Sequence, residues 1–171
     1  MSDDYIKDTY IYTTFDVAMY MVGLLNEKRI SLDVLKVQTL LYITYGVYLC
    51  AYDERLLNEH PQVYYLGPLF PQLKEDIAKM DLYSVPTDFT GIDYIELKKI
   101  KNDPKLIDVL EFVIYHFAEL TSDELCDLVR DKDGAWAMAR NREDFRWGDY
   151  ISDEDIRKAF SLEYAIYMSG Y

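Results

Sequence analysis

The sequence predicts a mainly α-helical domain of about six to seven helices around one central apolar helix, with a small β-hairpin element. Three observations predict it. Half of the 171 residues are apolar and 15% are aromatic, which lets a chain of this length bury roughly 70% of the surface its unfolded form exposes. Cap residues followed by apolar stripes at intervals of three and four recur along most of the chain. Extended-structure signals are confined to two short stretches, 62–66 and 94–97. With seven Gly, five Pro, no internal repeat and no Ser/Gly-rich linker, residues 1–171 read as a single domain.

Thr13 or Thr14 caps a first helix that reaches about Asn26, and Thr13-x-x-Asp16 is a start of capping-box type. Ser31 is the expected cap of a second helix over 32–51. From Leu40 to Leu49 that helix is apolar on nearly every face, so it is the one the others surround. Its end at Asp53-Glu54 places acid near a helix C-terminus, which the helix dipole disfavours. Gln62-Val-Tyr-Tyr-Leu66 is β-favouring, and Gly67-Pro68 is expected to fix a turn after it. Pro71 suits the first turn of a helix over 71–80. Residues 81–103 read as irregular, with a second strand at 94–97 that pairs with the first. Asp103-Pro104 is a cap plus a first-turn proline, followed by a stripe of Leu106, Leu110, Val113, Phe117 and Leu120. Ser122 is the expected cap of a short helix to Leu128, and 135–141 form another. Ser152-x-x-Asp155 opens a last helix with Ile156, Phe160, Tyr164 and Tyr167 on one face.

Charge narrows the function classes. Lys plus Arg is 18 and Asp plus Glu is 31, a formal charge of −13. Phosphate contacts need clustered cations, so neither nucleic acid nor an anionic membrane is an expected partner, whereas a basic protein would be steered toward this surface. Between 121 and 155, eleven acids (Asp123, Glu124, Asp127, Asp131, Asp133, Glu143, Asp144, Asp149, Asp153, Glu154, Asp155) stand against five bases, a local balance of −6. The N-terminus lacks the basic segment of a secretory signal. The longest apolar stretch, 37–52, is interrupted by Gln38, Thr39, Thr44 and Gly46 and reads as too short and too polar to span a bilayer. Cys50 and Cys126 are far apart with no second Cys near either, as in a protein of a reducing compartment with buried thiols.

Catalytic chemistry is sparse. His60 and His116 are the sole histidines, and neither has a neighbour at metal-ligand spacing. A His116–Cys126 nucleophile pair has no local signature to support it. Asp131-Lys-Asp-Gly134 faintly matches part of a calcium loop, but the aligned ligand positions hold Val129 and Arg140. No cofactor or metal is expected. Tyr42, Tyr45, Tyr48 and Tyr52 recur at helical spacing and read as core or core edge. Tyr5, Tyr10, Tyr12, Tyr167 and Tyr171, near the chain ends, read as interface residues.

A set of spaced residues runs through the chain: Asp16-Val-Ala-x-Tyr20, Ile30-Ser31, Leu35-Lys-Val-Gln38, Leu40-Leu-Tyr42, Tyr45-Gly46, Leu56-Leu57 and Gly67-Pro68-Leu-x-Pro71. Leu125-x-x-Leu128, Trp136, Ala139, Ile151-Ser152 and Ile156 through Phe160 continue it. This pattern, over about residues 14–162, resembles the Panacea domain, the SocA-like antitoxin domain also found in phage-associated GepA proteins. Tyr64 stands where that family has a tryptophan, Thr39 where it has a lysine, and Val129-Arg130 where it has Thr-His. The resemblance implies a helical fold with a small β element, a prokaryotic or phage cytoplasm, no catalytic residue, and neutralisation of a toxin by direct binding; one activity in the family is delivery of a toxin to a protease. It implies that Lys36, Gln38, Gly67, Pro68 and Pro71 are motif positions, structural in role, with Lys36 and Gln38 holding the Gly-Pro turn against the second helix.

The leading expectation is a non-enzymatic antitoxin or inhibitor that binds a protein toxin. The alternative is a phage-encoded acidic inhibitor of a bacterial immune effector that imitates nucleic acid. An enzyme is the third class. With no length for a DNA-binding domain, autorepression is not expected. The expected contact residues are Asp131, Asp133, Glu143, Asp144, Asp153, Glu154 and Asp155, together with Tyr5, Tyr10 and Tyr12.

Overall fold

The computed structural model describes residues 9–82 and 92–169, with side chains described as far as residue 161. Among the described residues there are eight helices and one two-stranded antiparallel hairpin: α1 (Thr14–Glu27), α2 (Val34–Tyr52), β1 (Gln62–Tyr64), β2 (Gly67–Leu69), α3 (Pro71–Ile77), α4 (Tyr94–Lys101), α5 (Pro104–Phe117), α6 (Ser122–Val129), α7 (Ala135–Arg140) and α8 (Asp153–Ser169). The expected helical class, central helix and hairpin are all present.

α2 is the axis of the fold. Every residue from Lys36 to Leu49 is buried, and α1, α3, α5, α6, α8 and β2 all pack against it. Its length and composition would suffice to cross a membrane, contrary to the sequence expectation, but 78% of that window is buried inside the protein. Gly46 sets the closest approach: a Cβ there would collide with the Phe160 ring of α8. The helix starts two residues later than expected, because Asp33 rather than Ser31 accepts the first-turn N–H, from Lys36 at 2.7 Å. It ends at Asp53, in the left-handed region with φ 52°.

Three other expectations change. Residues 94–97 belong to α4 and are not a strand. Asp93 caps that helix by accepting Ile95 N–H at 2.9 Å, and Lys98, Lys99 and Lys101 sit at its negative end. The cap of α6 is Thr121, not Ser122, in a complete capping box with Glu124. Gly67-Pro68 do not form the turn: they open β2, and Tyr65-Leu66 make the tip. Pro68 is tolerated in a strand because it faces Val63 across a pair whose backbone groups point away from each other. Val63 N–H donates outward to Asp149 O at 2.8 Å, and Val63 O accepts from Gly148 at 2.9 Å. Segment 148–151 therefore borders β1 on the side opposite β2, extended by a Gln62–Tyr150 bridge.

Candidate functional site: an acidic face around an aromatic hairpin tip

The motif residues divide their structural work unequally. Gln38, 1% exposed, holds both backbone groups of Phe70: its Nε2 donates to Phe70 O at 3.0 Å and its Oε1 accepts from Phe70 N–H at 2.9 Å. The side chain thus acts as a strand-like partner for the residue that caps α3, with Pro71 at the first helical position. Lys36 is buried at 7% exposure, and among the described residues no hydrogen bond joins it to 67–71. The clip is made by Gln38 alone and grips Phe70, three residues beyond the start of β2. Gly67 has φ 147°, and its Cβ position lies 3.2 Å from Val129 of α6, so conformation and space both favour glycine.

The expected acidic contact residues separate into two groups. Asp131, Asp133, Glu143 and Asp144 are exposed on the turns that flank α7. Asp131 also stabilises its own turn, its carboxylate accepting from Asp133 N–H at 3.2 Å. Asp153 and Asp155 are engaged within the fold, whereas Glu154 is exposed and pairs along its own helix. Asp153 accepts the Tyr45 hydroxyl at 2.6 Å and lies 3.8 Å from His60 Nδ1. Burial pushes its carboxyl up, but the His60 and Tyr45 hydrogen bonds and the charges of His60 and Arg55 hold it below its ordinary value. Glu154 pairs with Lys158 at 2.9 Å, and buried Asp155 pairs with Arg142 at 2.5 Å.

Tyr12 is not an interface residue. It is 1% exposed: its backbone bridges to Leu57, and its hydroxyl donates to Asp103 at 2.7 Å. Desolvation, then the Asp103 carboxylate, push that phenol well above its ordinary range. Tyr10 is exposed beside a polar cleft of about 470 Å³ that Arg55, His60, Asp153 and Arg157 also line. Tyr5 and Tyr171 lie outside the described residues, as do the side chains of Tyr164 and Tyr167.

The structure adds an aromatic cluster that the sequence did not single out. Tyr65 and Leu66 at the hairpin tip are 75% and 51% exposed and Trp147 is 50% exposed, whereas the exposed Tyr150 ring meets His60 edge-on at 6.0 Å. The Tyr65 and Trp147 rings lie 5.4 Å apart, and Trp147 meets half-buried Phe145 edge-on at 5.1 Å. The Arg140 guanidinium sits 4.7 Å from the Phe145 ring centre and 4.9 Å from that of Trp147. The cluster has a firm backing. Trp136 Nε1 donates to Tyr64 O at 2.9 Å, and the 148–151 segment is hydrogen-bonded along β1. The hairpin tip is thus bordered by Val129 and Trp136 on the one hand and by Trp147 on the other. The sequence signal was faint: Arg146-Trp-Gly-Asp-Tyr150 has no periodicity, and its ring partner Tyr65 is some eighty positions away.

Reactive groups are placed otherwise. Burial pushes the Cys126 thiol up, away from the thiolate a nucleophile needs, and Thr39 of α2 is its side-chain neighbour. His116 is in ring contact with Phe112, Tyr115 and Phe117 of its own helix. No group of three or more His, Cys, Asp or Glu among the described residues is placed to hold a metal ion. A cavity lined by residues of α2, α5, α6, α7 and α8 has about 20 Å³, room for a water molecule and far below a ligand site. Comparisons with protein-family models, with curated proteins and with solved structures found no match.

Proposed function

We propose that this chain is a non-enzymatic, protein-binding inhibitor of antitoxin type. It neutralises a protein toxin or effector with a basic surface by docking the acidic face around the hairpin tip, in a prokaryotic cytoplasm and encoded by a chromosome, phage or prophage. The observation that carries the reading is the exposed Tyr65–Trp147 pair, backed by β1 and α7. Tyr, Trp and Arg dominate the energetically important centres of protein interfaces, and monomeric proteins seldom leave such residues grouped in the open without a use. The charge of −13 supports a basic partner, and the motif resemblance supports the antitoxin role.

The test is co-expression of the toxin candidate encoded next to this gene, with and without the chain. Restored growth with wild type, reduced when Tyr65 and Trp147 are both replaced by Ala, is the expected outcome. Unchanged toxicity across all neighbouring candidates overturns it. The exposed Asp131, Asp133, Glu143 and Asp144 favour a second reading, an acidic anti-defence inhibitor that occupies the DNA channel of an effector. Competition by DNA, with binding that falls steeply as salt rises, separates that reading from the first.

A further inference from the structure

Arg140 demonstrates what the aromatic cluster can hold. Its guanidinium rests against Phe145 and Trp147 at 4.7 and 4.9 Å from the ring centres, within cation–π range. Ring surface remains beyond what Arg140 covers, since Trp147 is half exposed and Tyr65 three-quarters exposed. The turns on either side of α7, the second of which leads into Trp147, are rich in acid. Across the two flanking turns Asp131, Asp133, Glu143, Asp144 and Asp149 supply five carboxylates. Of the five cations there, Arg130 is tied to Asp127 at 3.0 Å and Arg142 to Asp155. Lys132, Arg146 and the ring-bound Arg140 remain, so carboxylates outnumber the cations left to balance them.

We propose that the Tyr65–Trp147 pair is the receiving site for an arginine side chain of the protein partner, its guanidinium laid against the rings and its charge met by the carboxylates of the two turns. This rests on the protein-binding reading above and names the chemistry of the docking group. Arginine fits better than lysine because its planar guanidinium stacks and is weakly hydrated. The rings select the group and the carboxylates raise the encounter rate.

The test uses the full chain and three fluorescein-labelled hexapeptides, of arginine, of lysine and of citrulline, which keeps the shape of arginine without its charge. Binding is read by fluorescence anisotropy in a salt series. Hexa-arginine is expected to bind saturably, hexalysine more weakly, and hexacitrulline not at all. Tyr65→Ala and Trp147→Ala, both exposed and checked for fold by circular dichroism, should each weaken hexa-arginine binding about tenfold. Their loss should persist at high salt, where that of Glu143→Lys with Asp144→Lys shrinks. Equal binding of citrulline overturns the proposal, as does wild-type affinity for hexa-arginine in both ring variants, which would leave undirected charge attraction. The two levels of failure are separable. If the ring variants still neutralise the co-expressed toxin fully, the arginine site is wrong and the inhibitor reading stands. If wild type neutralises nothing, the inhibitor reading itself falls.

Discussion

Replacing Gln38 by Ala should be among the most destabilising single changes in this protein. The amide is buried and serves both backbone groups of Phe70, donor at 3.0 Å and acceptor at 2.9 Å. Truncation strands a buried N–H and a buried C=O, each at a cost of about 1–3 kcal/mol. We therefore expect a loss of about 3–5 kcal/mol, against a total stability of about 5–15 kcal/mol for a typical domain. With a urea slope of about 2 kcal/mol/M, the unfolding midpoint falls by about 2 M. Gln38→Leu fills most of the same volume and should cost nearly as much, which separates the hydrogen bonds from the packing. Gln38→Glu adds a sign test. The introduced carboxylate still accepts from Phe70 N–H but opposes Phe70 O, and only its protonated form donates there. The folded pKa of that carboxyl is then raised above its unfolded value of about 4.3. The deficit of Gln38→Glu relative to wild type should be smallest below that value and grow as pH rises through the folded pKa. A Gln38→Ala midpoint within about 0.3 M of wild type, or a Gln38→Glu deficit that does not change with pH, would refute the clip.

The remaining predictions concern packing, titration and charge. Gly46→Ala drives a methyl into the Phe160 ring; overpacking of about 1–3 kcal/mol outweighs the helix-propensity gain, and calorimetry should show a melting temperature lower by about 3–8 °C. Asp153→Asn weakens the hydrogen bond from Tyr45 and the pairing with His60, costing about 1–2 kcal/mol at pH 7. Because the Asp153 carboxyl is held below its ordinary value, that contribution is complete above about pH 4 and is lost as pH falls through the folded pKa; urea curves of variant and wild type should therefore draw together as pH is lowered below about 4. Lys at positions 131, 133, 143 and 144 together should leave the fold intact, each exposed change costing about 0.5 kcal/mol or less, while slowing association with the partner, most at low salt in stopped flow.

Much of the architecture was legible because local signals agreed. Thr13 and Asp103 each announce a helix start and each accepts the N–H three residues on. The α5 stripe, from Leu106 to Phe117, is buried as its spacing requires. Residues 94–97 misled because Tyr-Ile-Glu-Leu alternates like a strand, while the deciding cap, Asp93, and the three lysines lie outside that window. Tyr12 misled because closeness to a chain end says nothing of the parallel bridge to Leu57 that buries it. Asp153 and Asp155 read in the sequence as first-turn acids of the last helix and as contact residues, yet their partners within the fold, Tyr45, His60 and Arg142, come from other segments. The aromatic cluster was hidden for the same reason: edge pairing of 148–151 with β1 is what brings Trp147 to Tyr65.

The most direct test of the central claim is a titration of the purified toxin's activity with the purified chain. Neutralisation by binding predicts that residual activity falls linearly with added chain to zero at a fixed molar ratio. It also predicts that activity returns when the complex is denatured and the toxin refolded alone. Loss of toxin activity at far below one equivalent, growing with time and surviving removal of the chain, would contradict it.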